Sequence, residues 1–167
     1  MIKRLLPALI IILLTITAFG QERLNSLAID GNLADDAGPW YFISFGDSST
    51  PYAQASPLAR HLDLRLSWSP ESRTLTFSKG TTTVTSVATS DIAAGLSPRS
   101  GGIRVNGTDR TAPMAILVDG TSYIAIEPLA RAFGFEVAWH AQPRVFTVDS
   151  PAPPVAASTP IGARGTG

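Results

Sequence analysis

Apolar and polar positions alternate in short bursts through the middle of this chain, and glycine, proline or aspartate separates the bursts. Phe135, Val137 and Trp139 alternate with Glu136 and Ala138, and Leu64, Leu66 and Trp68 alternate with Arg65 and Ser67. A period of two marks a strand with one apolar face. The runs Ala115-Ile116-Leu117-Val118 and Tyr123-Ile124-Ala125-Ile126 flank Asp119-Gly120-Thr121-Ser122. Asp-Gly between two apolar runs predicts a hairpin, because both residues tolerate positive φ. The period then lengthens. Leu129, Ala132 and Phe133 stand at i, i+3 and i+4, which predicts one apolar face of a short helix. Pro128 suits its first turn, and Gly134 is the expected left-handed stop. Upstream, Ser56 is the expected N-cap before Pro57, and Asp63 takes the stop position.

These two stretches are alike. A shift of 71 positions brings Tyr52 onto Tyr123, Pro57-Leu58-Ala59-Arg60 onto Pro128-Leu129-Ala130-Arg131, Trp68 onto Trp139, Arg73 onto Arg144 and Thr76 onto Thr147. From Tyr52 to Phe77 there are 8 identities in 26 positions, without a gap. The expectation is an α+β fold made of two β-turn-β-helix-β-β repeats, about 44–79 and 115–149, forming an antiparallel sheet packed by two short helices. Burying an indole removes about 200 Å² from water, worth roughly 4–5 kcal/mol as an upper estimate. Trp68 and Trp139 are therefore expected in the core, between helix and sheet. Between the repeats, Thr81 to Val87 and Ile103-Arg104-Val105 read as further strands, the latter closed by an Asn106-Gly107 turn. Leu27 and Ile29 before Asp30-Gly31 echo that pattern and are expected to open the first copy.

The chain ends differ in character. Lys3 and Arg4 precede an apolar run from Leu5 to Phe19, then Ala18-Phe19-Gly20. This is the charged, apolar and small-residue order of a secretory signal peptide, cut after Gly20. The run is short for a membrane span, which needs about 20 apolar residues; an uncleaved segment of this kind is the chain's one route to the membrane. Residues 21–149 are expected to form the folded domain. Residues 150–167, rich in proline, alanine and glycine, read as a disordered tail or as a linker to a further domain. With 13 basic and 13 acidic residues the whole chain is neutral, so nothing marks a nucleic-acid surface. It has no cysteine, which excludes a disulfide framework, thiol chemistry and a lipid-anchoring cysteine.

Candidate chemistry is sparse. His61 and His140 have no partner at metal-ligand spacing, so no metal or cofactor is expected. Asp35-Asp36 reads as a solvated turn. No Gly-x-Ser-x-Gly elbow occurs. Gly101-Gly102 lacks the strand-to-helix setting of a phosphate loop. Asn106-Gly107-Thr108 matches a glycosylation acceptor in form but is explained first as a turn. The binding candidates are Trp40 and Tyr41, in the aromatic run Trp40-Tyr41-Phe42 after Gly38-Pro39, and Arg60 and Arg131, which recur at matching helix positions. An exposed aromatic can stack on a sugar or anchor a partner, although an edge strand with Trp40 and Phe42 inward explains the run as well. The two arginines can pair with carboxylates of a partner, or simply face solvent.

The run Gly120-Thr121-Ser122-Tyr123-Ile124-Ala125-Ile126-Glu127-Pro128-Leu129-Ala130-Arg131-Ala132-Phe133-Gly134-Phe135-Glu136-Val137-Ala138-Trp139 resembles the copper amine oxidase N-terminal-like (stalk) domain family, as does Val105-Asn106-Gly107. The family pattern departs at Ala125 and Gln54, where it has proline, and at His140 and Ser69, where it commonly has aspartate. The resemblance spans about 27–148. It implies a non-enzymatic stalk-like module of exported bacterial proteins, in the periplasm, at the cell wall or outside the cell. Its partners would be cell-wall polymer or another envelope protein, such as an N-acetylmuramoyl-L-alanine amidase. The competing expectation is a small secreted hydrolase with an unrecognised Asp/Ser site.

Overall fold

The computed structural model describes residues 21–23, 26–34, 41–45, 48–142 and 145–151. Along the chain these form β1 (Gln21–Arg23), β2 (Ser26–Ile29), β3 (Asn32–Leu33), β4 (Tyr41–Phe45), β5 (Ser48–Gln54), α1 (Ala55–His61), β6 (Arg65–Ser69) and β7 (Thr74–Lys79). There follow β8 (Thr82–Thr89), α2 (Ile92–Leu96), β9 (Arg99–Val105), β10 (Thr108–Ala112), β11 (Ala115–Val118), β12 (Thr121–Ala125), α3 (Ile126–Ala132), β13 (Glu136–His140) and β14 (Val145–Asp149). Among the described residues strands predominate, with three short helices, which is compatible with the expected α+β class.

The single antiparallel sheet expected from the sequence is replaced by two sheets. The larger runs β1-β4-β5-β12-β11-β8-β7-β6, with β9 attached to β8 and β10 to β9. The smaller runs β13-β14-β2-β3. Two pairings are parallel, β11 with β8 and β14 with β2. Hydrophobic pattern specifies which face of a strand is buried but not which neighbour completes its ladder. The Leu27–Gly31 hairpin shows the consequence. It forms as expected, yet β2 lies against β14 of the second segment rather than in the first. Helix α2 was not legible, because five residues with glycine among them leave too short a pattern. Asp91 caps it, its Oδ1 accepting from the Ala94 N–H at 3.0 Å.

The two related segments have the same order of elements. Helices α1 and α3, and strands β6 and β13, begin and end at positions 71 residues apart. They meet through β5 and β12. Tyr52 lies opposite Ala125, Ala53 opposite Ile124 and Gln54 opposite Tyr123. Shifting by 71 exchanges the first pairing with the last, so this antiparallel register is symmetric about Ala53 and Ile124. Four residues of that seam, Tyr52, Ala53, Ile124 and Ala125, are fully buried.

Both helices start earlier than expected. Gln54 and Ala125 are the N-caps, and neither helix has a side-chain cap. Ser56 therefore lies inside the first turn and is not the N-cap. The buried face of α3 is Ile126, Leu129 and Ala130 rather than Leu129, Ala132 and Phe133. Leu58 and Ala59 do the same in α1. Asp63 and Gly134 end the helices at φ +53° and +84°. The Leu64 and Phe135 N–H groups then return to the Ala59 and Ala130 carbonyls.

The indoles are not sealed. From Leu64 into β6, Leu64 is buried, Leu66 half-buried and Trp68 40% exposed; Phe135, Val137 and Trp139, at 41%, repeat the gradient. Length explains it. A seven-residue helix covers about 10 Å, while the chain from Leu64 to Trp68 runs about 13 Å back along it. Each tryptophan shares the core face and projects past the end of its helix. Leaving two-fifths of an indole wet forgoes about 2 kcal/mol of burial at most.

Candidate binding site

Strand β6 forms an edge of the larger sheet, with β7 as its neighbour. Trp68 stands opposite Leu75, which is buried, and Leu66 opposite Phe77, also buried. Buried neighbours across the strand pair thus anchor the position of the indole. In front of Trp68 opens a cleft of about 300 Å³. Gln54, Ala55, Ser56 and Pro57 at the start of α1 form one wall. Gly120, Thr121 and Ser122 from the β11–β12 hairpin form the other. That hairpin is rigid for a local reason. Asp119 and Gly120 adopt φ +48° and +77° between Val118 and Thr121, the two-residue turn whose twist matches the strands.

Two other clefts carry charge. One lies along Asp63, Arg65 and Lys79. There the Lys79 Nζ donates to the Leu62 carbonyl at 2.9 Å, stands 3.6 Å from Asp63 and lies 5.3 Å from the centre of the Phe135 ring. This lysine ties the end of α1 to the start of β13, which accounts for it structurally. The other cleft is lined by Thr50, Pro51, Pro98, Pro113, Glu127 and Arg131. The Arg131 Nε donates to Glu127 Oε1 at 2.9 Å across one helical turn.

Of the sequence candidates, Arg131 lines this last cleft and Arg60 is exposed on α1 but lines none of the three. The structure does not bring the two arginines to one cleft. Trp40 lies outside the described residues, as do Asp35 and Asp36; Tyr41 is described only as backbone of β4. Trp68 was missed because it was assigned to the core. The signal that could have found it was the mismatch between a seven-residue helix and the strand beneath it.

Buried polar groups are structural. Tyr52 is fully buried, and its hydroxyl donates toward the Gly95 and Met114 carbonyls at 3.3 and 3.2 Å. Burial pushes its phenol well above the usual tyrosine range. Among the described residues no three His, Cys, Asp or Glu side chains gather as a metal site would require. No helix of the described residues is long and apolar enough to cross a membrane.

The family model of the copper amine oxidase N-terminal domain matches residues 44–148. The chain belongs to this family. Neither the curated proteins nor the solved structures yield a match. The matched span starts at residue 44 rather than near residue 27, as expected from the sequence, so it leaves out β1–β3. It contains Trp68, Trp139 and the three clefts described above. In copper amine oxidases the N-terminal domain is a non-catalytic, stalk-like module.

Proposed function

We propose that this chain is a non-catalytic binding or scaffold module of the bacterial cell envelope. In this reading residues 1–20 export it, and the folded domain holds cell-wall polymer or an envelope protein such as an N-acetylmuramoyl-L-alanine amidase. The observation that carries the reading is the family match over 44–148. Open clefts with exposed aromatic, hydroxyl and arginine side chains suit surface attachment. Residues 44–79 and 115–149 are, in the same reading, copies of one duplicated unit. Their matching element boundaries and the symmetric β5–β12 register support this.

The test uses the full mature chain on purified cell-wall sacculi, with a hydrolysis assay in parallel. Retention in the insoluble fraction without release of soluble fragments is expected. Fragment release that disappears on substituting one acidic residue would make the protein a hydrolase and end this proposal. N-terminal sequencing of the exported protein should begin at Gln21.

A further inference from the structure

We propose that the cleft in front of Trp68 binds an uncharged sugar ring of a glycan strand. The ring stacks on the indole, and the Ser56 and Ser122 side chains bond its hydroxyls. The source of the glycan rests on the envelope reading above; the sugar-binding chemistry does not.

Three observations converge here. The indole occupies a core-face position beside buried Leu75 and yet is 40% exposed. A partly exposed indole suits stacking against the C–H face of a sugar. The lining is uncharged, unlike the Asp63–Arg65–Lys79 and Glu127–Arg131 clefts. An anionic or cationic ligand therefore finds no counter-charge here, whereas a polyhydroxylated neutral one finds donors and acceptors. Those groups are also uncommitted. Among the described residues, the side chains of Ser56 and Ser122 make no internal hydrogen bond.

An apolar peptide side chain would cover these groups without pairing them, which is costly. A sugar satisfies them. The cleft volume of about 300 Å³ lies at the small end of ligand pockets and suits a single saccharide unit of a longer strand. Both walls are fixed by helix and hairpin, so little ordering is needed on binding.

The experiment titrates the full mature chain with chitotetraose, an uncharged N-acetylglucosamine oligomer, by calorimetry and by tryptophan fluorescence. Saturable binding is expected. Trp68→Ala should weaken it about tenfold, the upper range for one aromatic stack, with Trp68→Phe in between. Ser56→Glu is the second variant. It sits exposed in the first turn of α1, where an acidic residue suits the helix, and its longer charged side chain should also weaken binding about tenfold. Trp139→Ala, outside the cleft, should bind like wild type. No binding of chitotetraose overturns the proposal. So does wild-type affinity in Trp68→Ala and Ser56→Glu, or Trp68-dependent binding of an apolar peptide in place of the sugar. Failure of the two readings stays distinguishable. Sacculus retention without chitotetraose binding rejects the cleft alone, while chitotetraose binding without sacculus retention rejects the envelope assignment alone.

Discussion

Ser86 is buried at 2% exposure and joins three strands. Its hydroxyl donates to the Gly102 carbonyl at 2.8 Å and accepts the Ala115 N–H at 2.9 Å. Ser86→Ala leaves both backbone groups buried and unpaired, so urea unfolding should show a loss of about 1–3 kcal/mol with the slope unchanged. Gly102 is more exacting. A Cβ there would stand 1.8 Å from the Ala112 carbonyl oxygen, where backbone must move. Gly102→Ala should cost more than about 3 kcal/mol or prevent folding, read by the same titration. Tyr52 gives a pH signature. Its phenol ionises above the ordinary value of 10.0 in the native chain. Below about pH 10 both states keep the proton and the full contribution is present. As the pH rises from there toward the raised native value, the unfolded chain releases its proton first, and stability falls. Tyr52→Phe should lower stability at neutral pH and show a shallower decline above pH 10 than wild type, measured by unfolding at a series of alkaline pH values.

Elements of this protein are short, and their ends are set by backbone conformation more than by capping side chains. Gly134 and Asp63 hold the same left-handed stop after α3 and α1. A Cβ at Gly134 would meet nothing within 4 Å. Gly134→Ala therefore tests conformation alone and should cost about 1 kcal/mol by thermal unfolding. Three hairpins use one device. Asp30-Gly31, Asn106-Gly107 and Asp119-Gly120 all place two residues at positive φ between paired strands. These turns were legible because the required φ values restrict composition so strongly. Helix starts were not. Ser56 and Pro57 fit the first turn in more than one register, and the buried positions Leu58 and Ala59 decided it.

At the scale of the whole molecule, the ends of the described fold are joined. Strand β2 adds in parallel to β14, and the Asp30 carboxylate accepts from the Ser150 N–H at 2.6 Å and its hydroxyl at 2.8 Å. The Asp30 N–H also donates to the Val148 carbonyl. Asp30→Ala removes the carboxylate clasp and strains the positive-φ turn, and should lower stability by about 1–2 kcal/mol. Asp30→Asn keeps much of the turn geometry and should cost less, both read from thermal midpoints. The seam between β5 and β12, with Lys79 reaching from the first segment to Phe135 of the second, makes the two segments one core.

Periodicity, the 71-residue correspondence and the positive-φ turns are properties of neighbouring residues. The amino-acid order therefore settled the strand–helix–strand–strand succession, the hairpins and the family resemblance. Edge pairing and coverage depend on segments far apart in the chain. Only the folded molecule decided that β2 completes the second segment's sheet, that β8 and β14 take parallel partners, and that Trp68 and Trp139 outrun their helices. A side chain's apolar character announces that burial would stabilise it; whether anything reaches far enough to bury it is a matter of lengths in three dimensions.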